Sequence, residues 1–184
     1  IDPGDEVIIP APYWVSYPDI ALLAEGTPIT PYAGPEQGYK ITPAQLEAAI
    51  SPKTRLLMLN SPSNPTGAAY TNAELHALGA VLRRHPDVLI ATDDMYEHIF
   101  WAKEPFCSFL TACPDLYDRT VTINGVSKSY AMTGWRIGYC GGPATIIDAM
   151  STIQSQSTSN PSSIAQRAAV VALSGDQSCV AEMN

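Results

Sequence analysis

The sequence is organised around residues Thr122 to Tyr139, which read Thr-Ile-Asn-Gly-Val-Ser-Lys-Ser-Tyr-Ala-Met-Thr-Gly-Trp-Arg-Ile-Gly-Tyr. A short run of β-branched residues from Val121 to Ile123 stops at Asn124-Gly125, a pair that breaks a strand pattern. Thr133-Gly134 breaks the chain a second time. Lys128 lies between the two breaks, so the pattern predicts a lysine in a turn at the end of a strand.

Two polar neighbours distinguish Lys128 from an ordinary surface lysine. Most single lysines are solvated surface charges, but Ser127 precedes this one and Arg136 follows it within the strand-like stretch 135–139. Arginine binds oxyanions through two parallel hydrogen bonds, and a hydroxyl can donate another. Positive neighbours also make a free amine easier to deprotonate, as attack on a carbonyl carbon requires. The stretch therefore suits a phosphorylated carbonyl compound.

Apolar runs and helix-start signals alternate along the chain. Thr42 with Gln45, and Thr71 with Glu74, each form the pattern of a capping box at a helix start. Strands that alternate with helices in this way indicate an α/β fold with a mostly parallel sheet. The predicted strands are the runs Asp5–Pro10, Thr27–Pro31, Arg55–Leu59, Val88–Thr92 and Val121–Ile123.

Three of the predicted strands lead directly into a residue that can bind or react. Asn64 follows the third run, Asp93 the fourth and Lys128 the fifth. Taken singly, an Asn-Pro loop or an acidic residue after a strand is a common turn or helix cap. Ligands of parallel α/β sheets bind outside the carboxyl ends of the strands. Together, the three positions predict one shared pocket.

The segment from Ser127 to Arg136 resembles the lysine signature of class I aminotransferases, the pyridoxal-phosphate enzymes of fold type I, and most closely that of bacterial aspartate aminotransferases. Two further segments match this family: Asn64-Pro65-Thr66-Gly67, and the Asp-x-x-Tyr pattern formed by Asp93 and Tyr96. The resemblance implies a three-layer α/β/α domain around a mostly parallel sheet, which is the large domain of those enzymes.

The resemblance implies catalytic roles for three residues. Lys128 would bind the cofactor covalently and move a proton at the substrate α-carbon. Asp93 would keep the ring nitrogen of pyridoxal 5'-phosphate protonated, and Tyr96 would donate a hydrogen bond to its phenolic oxygen. Asp94 does not match the family pattern, in which the aspartate stands three residues before the tyrosine.

Further residues are implied as cofactor contacts. Asn64 matches an asparagine that hydrogen-bonds the phenolic oxygen, while Ser127 and Arg136 suit the phosphate group. Two adjacent aromatic residues, Tyr13 and Trp14, follow the first predicted strand, where aromatic residues often simply cap a hydrophobic core. The family's ring-stacking aromatic residue corresponds to Trp14, so Trp14 is the predicted partner of the cofactor ring and Tyr13 is the weaker candidate.

Transamination is the reaction that the resemblance implies, with aspartate and 2-oxoglutarate as the expected small-molecule substrates. Two other functions stay open. One is a lyase of the same fold that acts on a sulfur amino acid, and the other is a ligand-sensing regulator that uses the cofactor without catalysis. The segment Ala131 to Arg136 favours transamination. A regulator would need a basic DNA-binding domain, whereas this sequence is acidic.

Composition restricts the partners and the location of the protein. The 184 residues carry a formal net charge of −8 and are 46% hydrophobic, which favours one sizeable core and argues against nucleic acid or an anionic membrane as partner. The four cysteines form neither a Cys-x-x-Cys pair nor a cluster with histidine, so no metal site is predicted. We expect free thiols in a reducing compartment, a cytoplasmic protein and, from the resemblance, a homodimer.

The resemblance covers nearly the whole sequence but only the middle of a family member. We therefore expect residues 1–184 to be the central part of the large pyridoxal-phosphate-binding domain, without its amino-terminal segment and without the carboxy-terminal small domain. A phosphate-binding turn and a substrate-binding arginine of the family lie in those parts.

Within the chain, the polar run 154–159 is predicted to be either a hinge or an active-site loop.

Overall fold

Six short strands form a single sheet in the computed structural model, which describes residues 1–184. The strands are β1 (Glu6–Ile8), β2 (Thr27–Ile29), β3 (Thr54–Asn60), β4 (Leu89–Asp93), β5 (Thr120–Gly125) and β6 (Gly138–Gly141). Their order across the sheet is β2-β1-β3-β4-β5-β6, and all neighbours are parallel except β6, which runs antiparallel to β5. The predicted α/β class with a mostly parallel sheet is confirmed.

Seven α-helices accompany the strands. Both predicted capping boxes are formed, at Thr42 with Gln45 and at Thr71 with Glu74, and each satisfies backbone donors that a helix start leaves free. None of the helices has both the length and the apolar character needed to cross a membrane. The helices are α1 (Ser16–Leu23), α2 (Pro43–Ala49), α3 (Asn72–Leu82), α4 (Phe109–Ala112), α5 (Ala144–Ser157), α6 (Ser163–Ser174) and α7 (Ser178–Met183).

Side chains that alternate along the strands create a hydrophobic cluster on each face of the sheet. Ile8 of β1 and Leu57 of β3 belong to a cluster of 17 buried residues that includes side chains of α2, α3 and α4. Val7 belongs to a smaller cluster with Tyr17 and Ala21 of α1. Because successive residues of a strand point to opposite faces, the sheet lies between two helical layers. The result is the three-layer α/β/α arrangement.

The chain after Lys128 forms a strand in only part of the strand-like stretch 135–139. Trp135 ends a 3-10 turn, and Arg136 adopts a left-handed backbone conformation with φ of +52°, so β6 begins only at Gly138. Trp135, Ile137 and Tyr139 alternate as residues of a strand do, although only Tyr139 lies in β6. A reversal of the chain is needed there because β6 pairs antiparallel with β5.

The polar run 154–159 is helical in its first part, and its role as a hinge or an active-site loop stays a prediction. Positions 154–157 are the last turn of α5, and Ser159 follows it with φ of +64°. No residue of α5 is buried, so the helix does not need an apolar side chain at each turn of this run. Exposed serine and glutamine are compatible with a helix when no competing cap lies nearby.

The Arg119 side chain binds three backbone carbonyls at the end of the sheet where the parallel strands begin. Its Nη1 donates to the carbonyl oxygens of His85 and Val88, both over 2.7 Å, and its Nη2 donates to that of Leu82 over 2.6 Å. These carbonyls lie at the end of α3 and in the turn that leads to β4. The last carbonyls of a helix lack partners in a following turn, and a cation there also complements the helix dipole.

Replacement of Arg119 by methionine tests this anchor. We expect Arg119→Met to lower the free energy of unfolding in urea by about 2–3 kcal/mol, because carbonyls at a packed helix end lose a charged donor. Arg55→Met is the control, since Arg55 is exposed, donates to the adjacent Pro52 and Thr54 carbonyls and lies 3.6 Å from Asp5. Its effect should stay below about 0.5 kcal/mol. Equal losses in both variants would contradict the anchoring role.

Candidate active site

A cleft of 150 Å³ opens where β3, β4 and β5 end. Parallel pairing sets Asn60, the last residue of β3, beside Asp93, the last residue of β4, and sets Asp93 beside Ile123 of β5. The three strands therefore end at similar levels, and the loops that follow them meet at one edge of the sheet. The residues lining the cleft are Trp14, Tyr17, Asn60, Asn64, Asp93, Met95, Tyr96 and Lys128.

Lys128 lies in a turn at positions 127–130, directly after β5. The backbone N–H of Ala131 donates to the carbonyl oxygen of Lys128 over 3.0 Å, which closes the turn. The lysine side chain is exposed, and its Nζ lies 5.9 Å from the centre of the Tyr96 ring, within cation–π range. The amine is thus accessible from the cleft, where its free base can attack the carbonyl carbon of a bound molecule.

Two donors fix the carboxylate of Asp93. The Tyr17 hydroxyl donates to its Oδ2 over 2.6 Å, and the backbone N–H of Met95 donates to its Oδ1 over 3.0 Å. Burial, followed by the charge of Asp93, raises the pKa of Tyr17 well above its ordinary value, so the hydroxyl keeps its proton. A carboxylate held in this way presents an oriented negative charge, which suits a protonated ring nitrogen.

Trp14 and Tyr13 lie in different surroundings. Trp14 lines the cleft and is 41% exposed, whereas Tyr13 is half-buried against the cluster under α1. The Trp14 ring packs edge to face on Tyr17, with the ring centres 5.4 Å apart. Aromatic pairs favour this geometry, which holds the indole in one orientation. Of the two predicted aromatic residues, Trp14 is the one available to a flat ligand in this cleft.

Asn64 reaches the cleft from the loop that follows β3. Its backbone N–H donates to Oδ1 of Asn60 over 2.7 Å, while Nδ2 of Asn60 donates to the carbonyl oxygen of Asp93 over 2.9 Å. Tyr96 lies on the loop after β4, three residues beyond Asp93. The predicted residues Trp14, Asn64, Asp93, Tyr96 and Lys128 are therefore brought together around one cleft.

Ser127 and Arg136 do not line the cleft. Ser127 is half-buried beside Lys128, and Arg136 is exposed, with its Nη1 donating to the carbonyl oxygen of Thr133 over 3.0 Å. Both residues belong to the segment between β5 and β6 that also carries Lys128. Their assignment to a phosphate group stays a prediction.

Sequence reasoning identifies neither Tyr17 nor Asn60 as a site residue. Tyr17 is 76 positions from Asp93 in the chain, and Asn60 looks like the ordinary end of a strand. No helix-face spacing links Tyr17 to Trp14, because Trp14 lies before the start of α1. For Asn60, no local pattern distinguishes it from other asparagines at strand ends.

Asp94 is buried directly beside the site although it does not match the sequence pattern. It is 3% exposed, and its Oδ1 accepts a hydrogen bond from the Thr92 hydroxyl over 2.7 Å. Burial, together with the charges of Glu97 and Asp93 and against the opposing effect of the Thr92 hydrogen bond, raises the pKa of Asp94 to about 7. A protonated Asp94 adds no second negative charge beside Asp93.

The cleft combines an amine, an oriented carboxylate and an aromatic face. Such a set can bind a flat, cationic ring that carries a carbonyl group, and can move protons between the ligand and the amine. No three His, Cys, Asp or Glu side chains are arranged to hold a metal ion, and all four cysteines are free thiols.

Comparison with known proteins identifies the family to which this fold and cleft correspond. The family model for aminotransferase class I and II matches residues 1–184, so the chain belongs to this family of aminotransferases. The aspartate/prephenate aminotransferase of Nitrosomonas europaea is 68% identical over 183 residues, and the match covers 100% of this chain and 46% of that relative.

Solved structures of family members have the same fold. The crystal structure of the aspartate aminotransferase from Rhizobium meliloti has a TM-score of 0.97 at 55% identity, and the match covers 99% of this chain and 46% of that one. The Thermus thermophilus aspartate aminotransferase with maleate has a TM-score of 0.91 at 42% identity, with 100% and 46% covered. The chain thus spans about half the length of the proteins it matches.

The buried carboxyl of Asp94 predicts a pH-dependent stability. Its pKa is raised to about 7 on folding, so the folded state retains a proton that the unfolded state releases near its ordinary pKa of 3.8. This contribution is fully present below about pH 4 and is lost as the pH rises to about 7. Asp94→Asn removes the titration, and we expect it to be more stable than the wild type at pH 8 by about 2–4 kcal/mol.

Urea unfolding between pH 4 and 8 measures this effect. The advantage of Asp94→Asn should disappear near pH 4, where both side chains are neutral. Asp148→Asn is the control, because Asp148 is exposed on α5 and should leave the pH profile unchanged. An Asp94→Asn protein that is less stable than the wild type at pH 8 would contradict the prediction.

Proposed function

We propose that this chain is the central part of the pyridoxal-phosphate-binding domain of an aminotransferase that transfers an amino group between aspartate and 2-oxoglutarate. The observation that carries the proposal is the meeting of the Lys128 amine, the Asp93 carboxylate and the Trp14 ring in one cleft. A phosphorylated pyridine aldehyde needs an amine for its carbonyl group, an anion for its ring nitrogen and a flat apolar partner. The side chains of the cleft fit pyridoxal 5'-phosphate on all three counts.

Each residue has a defined part in this proposal. When bound, pyridoxal phosphate supplies an electron sink for the negative charge that develops at the substrate α-carbon. Lys128 would hold the cofactor through its carbonyl carbon in the resting protein. Once the substrate amine had replaced the lysine at that carbon, the freed Nζ would take the α-proton and deliver it to the cofactor carbon. Asp93, oriented by Tyr17, keeps the ring nitrogen protonated. Tyr96 and Asn64 donate hydrogen bonds to the phenolic oxygen.

The remaining cofactor contacts are assigned to three residues. Trp14 stacks on the ring, and its edge-to-face contact with Tyr17 supports a fixed orientation of the indole. Ser127 and Arg136 bind the phosphate. Only Nη1 of Arg136 donates to the Thr133 carbonyl, so the guanidinium keeps further N–H donors for a phosphate.

The names of the relatives support the choice of substrates. The Nitrosomonas europaea relative is an aspartate/prephenate aminotransferase, and the Rhizobium meliloti structure is an aspartate aminotransferase. Maleate, which accompanies the Thermus thermophilus enzyme, is a dicarboxylate like aspartate and 2-oxoglutarate. Because the name of the Nitrosomonas europaea relative includes prephenate, prephenate is a second amino acceptor to test beside 2-oxoglutarate.

The proposal extends to assembly and location. We infer a cytoplasmic homodimer that acts on small amino acids and 2-oxo acids and has neither nucleic acid nor a membrane as partner. The net charge of −8 supports the absence of a nucleic-acid partner, because such partners select basic surfaces. Light scattering of the purified full-length protein measures the oligomeric state directly.

Lys128→Ala tests the cofactor assignment in the full-length protein. We expect borohydride reduction with pyridoxal phosphate to label Lys128 of the wild type in peptide mapping, and the variant to lose this label together with the cofactor absorption band. Lys53→Ala, at an exposed lysine, is the control and should keep both. Labelling spread over surface lysines would contradict a specific site.

Substrate assays on the same proteins separate the possible reactions. Wild-type protein should convert aspartate and 2-oxoglutarate to oxaloacetate and glutamate, and the Lys128→Ala rate should fall by at least about a thousandfold, because the reaction loses its base. Release of ammonia or sulfide from a sulfur amino acid would identify a lyase instead. Cofactor binding without turnover of any of these substrates would identify a ligand sensor.

Tyr17→Phe tests the orientation of Asp93. Loss of a hydrogen bond to a charged group should weaken cofactor binding roughly tenfold, as measured by the quenching of tryptophan fluorescence. Tyr70→Phe is the matched control: Tyr70 is also buried, but its hydroxyl accepts from the Ile41 N–H outside the cleft. Its dissociation constant should equal that of the wild type, and an equal weakening in both variants would contradict the role of Tyr17.

A further inference from the structure

Asn60 is the only side chain of the cleft that hydrogen-bonds both to the end of β4 and to the loop that follows β3. Its Nδ2 donates to the carbonyl oxygen of Asp93 over 2.9 Å, and its Oδ1 accepts from the backbone N–H of Asn64 over 2.7 Å. The two contacts use the donor and the acceptor of one planar amide. Asn60 therefore acts as a brace of fixed length between the backbones of Asn64 and Asp93.

The loop that carries Asn64 has few other attachments to the sheet at this point. Its internal bonds join Ser63 to Gly67 and to Ala68, which shape the loop without fixing it to β4. The backbone N–H of Ser61 also donates to the Asp93 carbonyl, but over a longer 3.3 Å. The contact from Asn60 to Asn64 is thus the one that links the backbone of Asn64 itself to the end of β3.

We propose that Asn60 is a positioning residue of the cofactor site, which sets the distance between the side chains of Asn64 and Asp93. The inference rests on the function proposed above, in which Asn64 donates to the phenolic oxygen and Asp93 faces the ring nitrogen. The phenolic oxygen and the ring nitrogen are held at a fixed distance by one rigid ring. The side chains of Asn64 and Asp93 must therefore be held at a matching separation. Asn60 acts through those residues and has no contact with the reacting atoms in this role.

An amide is the side chain that the brace requires. Aspartate has nearly the same shape and can still accept from the Asn64 N–H, but it cannot donate to the Asp93 carbonyl and it adds a negative charge there. Alanine removes both contacts. The two substitutions therefore separate the loss of one contact from the loss of the whole brace.

The test uses the full-length protein and the pH titration of the bound cofactor's absorption band. A hydrogen bond from Asn64 to the phenolic oxygen stabilises the ionised form of that oxygen, so losing it raises the midpoint pH of the band change. We expect Asn64→Ala and Asn60→Ala to raise the midpoint by about one pH unit, and Asn60→Asp to raise it in the same direction. The Asn60→Ala/Asn64→Ala double variant should titrate like Asn64→Ala alone, because Asn60 acts through Asn64.

Two controls distinguish positioning from a general loss of stability. Asn72→Ala removes an asparagine side chain on α3 that donates to Cys107 away from the cleft, and Arg119→Met destabilises the opposite end of the sheet. Both should titrate like the wild type, with a midpoint shift below about 0.3 unit. A shift in Arg119→Met as large as that in Asn60→Ala would overturn the proposal, as would an additive shift in the double variant.

Failure of this inference differs from failure of the proposed function. If the wild type forms no absorption band that Lys128→Ala abolishes, the cofactor assignment is wrong and the role of Asn60 falls with it. If the wild type forms the band but both Asn60 variants keep the wild-type midpoint, only the positioning role is wrong.

Discussion

The parallel pairing of β3, β4 and β5 is the constraint on which the rest of the structure depends. Because Asn60 pairs with Asp93 and Asp93 with Ile123, and β5 ends at Gly125, the ends of the three strands are level to within two residues. Loops that are far apart in sequence then leave the sheet at one edge. A shift of one residue in either pairing would exchange the two faces of a strand and carry its polar end residue away from the cleft.

Polar side chains near the strand ends hydrogen-bond to one another and to the backbone, and these bonds hold the loops around the cleft in place. Asn60 joins the loop after β3 to β4, and Tyr17 joins α1 to the carboxylate of Asp93. Asn124 of β5 adds a third link, since its Nδ2 donates to Glu97 over 2.7 Å next to Tyr96. Each link is a hydrogen bond in a partly buried setting, where leaving a donor or acceptor without a partner is costly. The loops are therefore fixed by specific polar contacts above a hydrophobic sheet.

The sequence predicts the features of this chain that arise from local interactions. The capping boxes at Thr42 and Thr71, the strand ends and the turn at Lys128 each depend on residues within a few positions of one another. The α/β class follows from their alternation. Family resemblance adds the residues matched by its motifs, from Trp14 to Arg136, of which Ser127 and Arg136 do not line the cleft.

Features that depend on distant partners could not be read from local patterns. Tyr17 becomes part of the site only because α1 packs on β1 and β3, from where the Tyr17 hydroxyl reaches Asp93, and Asn60 only because β3 and β4 are neighbours. The strand-like residues at 135–139 form a strand only from Gly138 onward, because the chain reverses at Arg136 before β6 pairs antiparallel with β5. Side-chain periodicity reports which face a residue occupies, but it carries no information about which strand lies alongside.

The two ends of the sheet perform different tasks. The ion pair of Glu47 with Arg84 and the hydrogen-bond contact of Glu47 with His85, like the contacts of Arg119, lie where the parallel strands begin. The five residues of β4 separate them from the cleft by roughly 16 Å. Sequence drift at the amino-terminal edge can therefore adapt a descendant of this protein to heat, cold or salt without disturbing the geometry of the cleft. Substitutions that change the stability of the fold and substitutions that change the chemistry of the cleft can therefore arise at separate ends of this sheet.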